Sequence, residues 1–490
     1  MTKKKQKKSI RSLLAKGFGN SDLSSKLQQL RGLISNDQCE LAETLALKLH
    51  AEFPQDLEVI RSLVYIYSSY PPLENSDRCV YFLQKAIAID PNNPKIAYDL
   101  GFSYLEDQCA YFYHGVQCLT HCLERWPDYQ GSENARALLK MLEEFEVKSV
   151  LLNHFGLAHV EDSQTVARRC EQFNICENAR EYEEAQAIIL SLMADFPDVT
   201  ELKTYLAITL VNQNKLLEAI DLLEQTIASD PKATSVYCSL VKYYLFNYQI
   251  EAAEKLGERL KSEHLDDLIN KCHPHTWVSI FDTLSLLRDD ASIVKLFKTV
   301  EAWQNSDEDK KIPSVQYATI LHLAATSFYY LGDKDTAHTL LKRACELNPE
   351  MEIFQENLAD FSLHPEEQNG LWPFEFNELL FPELSLRFFG YSDVLSVRSR
   401  NKRNQALEQL KNLFQSVFSD YPYLYWICAY LMDRGSKEER LIFQNIAFLT
   451  EDPRLVSSVE EFISQEKGAK RLREKLSKTS DFLDMLDVLV

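Results

Sequence analysis

The sequence predicts an all-α chain of stacked helical hairpins, and three observations carry that prediction. Glycine and proline are scarce, at 13 and 16 of 490 residues, whereas β-sandwiches, barrels and Gly-rich phosphate-binding folds need many turn glycines. An acid, amide or aromatic residue followed by proline recurs at Phe53-Pro54, Asp90-Pro91, Trp126-Pro127, Phe196-Pro197, Asp230-Pro231, Asn348-Pro349 and Tyr421-Pro422. These marks lie 37, 36, 70, 34, 118 and 73 residues apart, and the 34 and the 70 set a period near 34. Between them apolar residues return every three or four positions, the helical period. Proline cannot continue a helix and pushes the residue before it out of the helical region. Each mark therefore closes one hairpin and opens the next.

The unit is clearest at Thr200–Ala233. Leu202, Leu206, Thr209 and Leu210 form one stripe, Asn212-Gln213-Asn214 breaks it, and Leu216, Ala219, Ile220, Leu223 and Ile227 form a second. Moved on by 34 residues the pattern returns as Tyr237, Leu240, Tyr244, Ala253, Gly257 and Leu260; moved back, as Phe173, Cys176, Ala185, Ile189 and Leu192. Ala185, Ala219 and Ala253 keep the 34-residue spacing, as small residues must where two helices cross closely.

Tyr98-Asp99-Leu100-Gly101-Phe102-Ser103-Tyr104, the unit Leu321, Ala324-Ala325, Phe328, Gly332-Asp333, Ala337, Ala344 and Pro349, and the boundary Ile87–Pro94 resemble the tetratricopeptide repeat (TPR) family. The early Trp and Gly of the family pattern are mostly replaced, for instance by Lys203 and Ala207. The resemblance covers roughly residues 22–350. It implies a right-handed superhelical solenoid of helix-turn-helix repeats.

The expected organisation follows from where the marks hold and fail. A basic arm occupies 1–21, a first repeat block 22–130, a connecting helix and break 131–165. A second block runs over 166–361, with a degenerate pair at 268–313. An aromatic, Pro-broken linker follows at 362–391, and 392–490 reads as a helical C-terminal domain of short HEAT-like hairpins.

Composition narrows the function. Net charge is −20, from 53 basic and 73 acidic residues, which argues against nucleic acid as the main partner. Lys3–Lys16 carries seven positives and no acid. It reads as a solvated arm, with peripheral contact to an anionic membrane as the alternative. Eleven cysteines, an odd number lying mostly within helical stripes, suit reduced core thiols rather than disulfides. The start of the chain lacks the apolar run of a signal peptide. Tyr423–Met432, the longest uncharged apolar run, is too short to span a bilayer. A soluble, cytoplasmic protein is expected.

No phosphate-binding, nucleophile-elbow or metalloprotease motif is present in the sequence, so no enzyme activity and no cofactor is expected. His114, Cys118, His121 and Cys122 share a helix face, but one straight helix cannot wrap a tetrahedral metal, and Cys122 falls at a packing position. Cys272, His273 and His275 read as a loop turn at Pro274, so no metal centre is expected there either. The TPR resemblance places the opening helix of each hairpin on the concave face. The inner positions so implied include Tyr98, Phe102, Cys170, Thr204, Cys238, His322 and Tyr330, and they lack the basic set that clamps a peptide carboxylate. The candidate peptide-binding groove is Asn174, Asn178, Ile208, Asn212, Lys242 and Phe246, on units 166–199, 200–233 and 234–267. Its amides suit a peptide backbone and its apolar groups suit anchors. The expected role is a non-enzymatic scaffold or adaptor that binds a protein partner. The alternatives are a regulator docking through Lys3–Lys16, Arg398–Arg403 and Lys467–Lys478, and an enzyme with a site in the C-terminal domain.

Overall fold

The protein is described from a computed structural model. It covers residues 23–374 apart from 37, 70–74, 107–110, 144–149, 232, 265–273, 307–311, 365–367 and 369, then 411–412, 414–415, 418–419, 424–435 and 440. Among these residues there is no strand; the chain is an all-α repeat of antiparallel helical hairpins. It forms two compact units, Met1–Phe196 and Pro197–Val490.

The first unit contains α1 Leu23–Ser35, α2 Cys39–Glu52, α3 Leu57–Ser69, α4 Ser76–Ile89, α5 Pro94–Ser103, α6 Phe112–Arg125, α7 Ser132–Glu143, α8 Val150–His154, α9 Ser163–Asn178 and α10 Tyr182–Asp195. Each of α1 to α6 packs on the next. The second unit contains α11 Thr200–Asn212, α12 Leu216–Ser229, α13 Thr234–Phe246, α14 Ile250–Arg259 with a π-turn at Leu260–His264, α15 Pro274–Leu286, α16 Asp290–Ser306, α17 Ser314–Tyr330, α18 Lys334–Leu347, α19 Glu352–Phe361 and α20 Leu424–Arg434.

The proline marks do what their chemistry requires. Phe53, Asp90, Trp126, Phe196, Asp230 and Asn348 all end helices with φ between −123° and −140° and ψ between 63° and 84°, outside the helical region. Inside the hairpins a second device recurs. Arg180, Asn214, Tyr248 and Arg288 adopt φ of 67°, 61°, 60° and 58°, and Gly332 adopts 91°. The next residue in each case sends its N–H five residues back: Glu181 to Cys176, Lys215 to Leu210, Gln249 to Tyr244, Asp289 to Leu284 and Asp333 to Phe328. This is the left-handed helix stop usually given to glycine. Here four of the five positions are filled by other residues.

The alanines at 34-residue spacing, Ala185, Ala219 and Ala253, are fully buried between paired helices. The hairpin α5–α6 closes on two glycines. A Cβ on Gly101 would come within 2.4 Å of Leu119, and one on Gly115 within 2.4 Å of Leu105.

The hairpin α9–α10, which the register places at the head of a second block, packs in the first unit, against α4 and α6. Polar groups on facing helices explain this docking. Gln84 and Gln172 exchange amide bonds of 2.7 and 3.0 Å, Tyr81 donates to Glu184 at 2.9 Å, and Lys85 pairs with Glu184 at 2.7 Å. Arg78 donates to the Tyr67 hydroxyl and to Glu43, and reaches the Ala179 carbonyl at 3.4 Å. Glu171 is 2% exposed. Its carboxylate accepts the N–H of Tyr113 and of His114, at 2.8 and 2.9 Å, and the His114 ring at 2.7 Å. Tyr111, the residue before α6, offers no side-chain cap, so the carboxylate from α9 supplies it.

Candidate functional site

The expected groove residues fall on both units. Asn174 is half-buried and Asn178 exposed on α9 of the first unit, where Asn178 donates to the Tyr111 hydroxyl at 3.3 Å. Ile208 and Asn212 are half-buried on α11, Lys242 half-buried on α13, and Phe246 buried at the end of α13, all in the second unit.

Phe246 is covered by α20, the last of the described helices. The Trp426 ring of α20 lies 5.9 Å from it, and the Lys242 ammonium sits 5.5 Å over it on another side. From there α20 passes the ends of the next opening helices, α15 and α17. Trp426 stacks on Tyr430 at 5.1 Å, and the Tyr430 hydroxyl donates to the Ser285 carbonyl at 3.1 Å near the end of α15. Burial pushes the Tyr430 phenol above its usual pKa, so it stays a donor. Arg434 reaches Asp290 at 3.0 Å and lies 3.6 Å from the centroid of the Tyr330 ring, which ends α17. A planar guanidinium suits both contacts at once. Trp426, Tyr430 and Arg434 recur every four residues and share one face of α20. The rest of α20 is also buried, at Leu424, Ile427, Cys428, Leu431 and Met432, as for an interior helix.

A second segment covers the neighbouring helices. Residues 370–374, expected to form part of a linker, lie against α17 and α19. Asn357 of α19 is fully buried, and its amide spans one peptide residue. It accepts the Trp372 N–H at 3.0 Å and donates to the Trp372 carbonyl at 2.9 Å. Its remaining amide hydrogen points to Nε2 of His322, 3.0 Å away. Burial lowers the His322 pKa to about 3, so the ring is neutral. Tyr330 donates to the Leu371 carbonyl at 2.8 Å, and Asp360 accepts the Gly370 N–H at 3.2 Å. Sequence reasoning missed Asn357 and Asp360. The signal was present: both continue the stripe of Ile353 and Phe354 at helical spacing, and a polar group on a core stripe needs a partner.

The His/Cys face of α6 is otherwise engaged. His114 meets Glu171, Cys118 donates to the Ala97 carbonyl at 3.5 Å, and Cys122 is buried. Among the described residues no three donors gather as a metal set, and no helix is long and apolar enough to cross a membrane. Cys272, His273, the His275 side chain and the basic segments Lys3–Lys16, Arg398–Arg403 and Lys467–Lys478 lie outside the described residues.

No family model and no curated protein matches the chain. Among solved structures it is similar to yeast Tom70, at 13% identity over 93% of this chain and 96% of that one, TM-score 0.24. It is similar to the TPR domain of P58(IPK), at 12% identity over 81% and 99%, TM-score 0.23. The third is Naa15/Naa10 bound to HypK-THB, at 10% identity over 95% and 99%, TM-score 0.18. The fold is read from the hairpins themselves: paired helices, pre-proline stops and left-handed turns at 180, 214 and 248, in 34-residue register. On that geometry the chain is an all-α protein of repeated helical hairpins.

Proposed function

We propose that the protein is a non-enzymatic interaction scaffold of the cytoplasm, which holds a peptide segment of a protein partner on the opening helices of its second unit. One observation carries this reading. That face already seats polypeptide in two forms, a helix through Phe246, Ser285 and Tyr330, and an extended segment through Asn357. Apolar seats combined with side-chain bonds to a backbone are how helical surfaces hold peptides. Ile208, Asn212 and Lys242 offer the same chemistry, with Phe246 as the covered end of the set. The cysteines suit the compartment: Cys79, Cys122, Cys170, Cys176, Cys345 and Cys428 are buried in the helical core, where a cysteine packs as a small apolar residue.

A photo-crosslinking residue at position 208 or 212 tests the site, with position 217 as control because Leu217 is 63% exposed on α12. The captured protein is then titrated by calorimetry against Ile208→Ala/Asn212→Ala and against a chain ending at Ser362. The double variant is expected to weaken binding by about tenfold, or ~1.4 kcal/mol. Undiminished affinity there, with loss in the shortened chain, moves the site to the C-terminal segments.

A further inference from the structure

Gly370–Phe374 is held in an unusual way for part of a helical repeat. Among the described residues no backbone–backbone hydrogen bond ties it to the fold. Its backbone is instead read by side chains: Gly370 N–H by Asp360, Leu371 C=O by Tyr330, and both polar groups of Trp372 by Asn357. Side chains thus satisfy backbone groups that have no partner within the segment itself.

The site also reads side chains. Leu371 is fully buried and Trp372 is 6% exposed. Gly370 has φ of 96°, which disfavours any other residue, and a Cβ there would lie 3.5 Å from the Tyr329 ring. Pro373 follows and holds the chain extended. On the receptor side His322 lies 4.7 Å from Phe354 and, as a neutral acceptor, fixes which way the Asn357 amide points. Asn357 and Asp360 are buried polar groups on a core stripe, and the segment supplies backbone partners to both.

We propose that α17 and α19 form a peptide-recognition site for an extended Gly-aliphatic-Trp-Pro run, and that Gly370–Phe374 is its internal ligand, for which a partner bearing such a run competes. The proposal rests on the reading of the repeats as a peptide scaffold, and it concerns residues 322–374 alone. A partner captured at positions 208 and 212 stands whichever way the following titration goes.

The probe is a fluorescent peptide, Asn-Gly-Leu-Trp-Pro-Phe, titrated by anisotropy against the full chain and against Leu371→Ser/Trp372→Ser, in which the internal ligand is weakened. The variant is expected to bind at least tenfold more tightly than wild type. Adding Asn357→Ala is expected to remove that gain, as is replacing Trp by Ala in the peptide. Equal affinity for variant and wild type, or binding indifferent to Asn357, overturns the proposal. If the double-serine variant does not reach the wild-type helical circular dichroism, the wild-type chain is used with millimolar peptide. Exchange of the Trp372 amide must then rise at least tenfold, and an unchanged rate overturns the proposal.

Discussion

Replacing Glu171 with alanine tests how the hairpin α9–α10 is held in the first unit. Its carboxylate takes three hydrogen bonds at 2.7–2.9 Å, two from the opening turn of α6 and one from His114. Net hydrogen bonds to a charged group contribute about 1.5–3 kcal/mol each, and a lost cap costs about 1 kcal/mol. These terms overlap, and Tyr113 and His114 are only half-buried, so water recovers part of the loss. The expected cost is about 2–4 kcal/mol. For a unit of this size that lowers its melting transition by roughly 5–15 °C. Calorimetry reads the transition, and hydrogen exchange localises it. The Tyr113 and His114 amides should lose protection while α13, α17 and α19 keep theirs, because repeat contacts are local. Glu171→Gln should fall between, since its amide nitrogen opposes one of the donors. A change under about 0.5 kcal/mol, or unchanged protection at α6, would refute the capping role.

Three further outcomes are expected. The His322 pKa is lowered from 6.5 to about 3 in the folded chain. Between those values the unfolded chain binds the extra proton, so stability falls as pH drops below 6.5, by up to about 1.4 kcal/mol per unit; denaturant melts should show a shallower slope for His322→Gln, and equal slopes count against it. Tyr248→Gly should stabilise the second unit by about 0.5–1 kcal/mol, because a left-handed φ strains tyrosine more than glycine loses in chain entropy; a lowered melting temperature contradicts this. Ala219→Leu should destabilise the second unit by about 1–3 kcal/mol through overpacking between α11 and α12, and an unchanged melt shows the register is wrong.

Much of the fold was legible because its signals are local. The pre-proline stops follow from sterics between adjacent residues, and they sit at Phe53, Asp90, Trp126, Phe196, Asp230 and Asn348 as the marks imply. The paired stripes predict helices within a few residues: Thr276–Leu287 and Ala291–Gln304 are expected, and Pro274–Leu286 and Asp290–Ser306 are found. The apolar run Tyr423–Met432 overlaps the helix Leu424–Arg434. The left-handed turns were legible only at Asn214 and Gly332, since Arg180, Tyr248 and Arg288 carry no residue type that announces a positive φ.

The candidate site was legible in part. The repeat register puts Lys242 and Phe246 on an opening helix, and 362–391 reads as aromatic and Pro-broken. Their partners were not, because a helical stripe says that a face is covered and not by what. Tyr430 meets a carbonyl 145 residues away and Arg434 a carboxylate 144 away. Asn357 meets the Trp372 backbone only once the chain has turned back past Gly370. Periodicity and proline stops come from forces between near neighbours, so the sequence alone determined the hairpins. Which segment covers which face depends on surfaces that exist only after the hairpins stack, so the tertiary structure decided that α9 docks on α4 and α6, and that α20 and Gly370–Phe374 lie against α13, α15, α17 and α19.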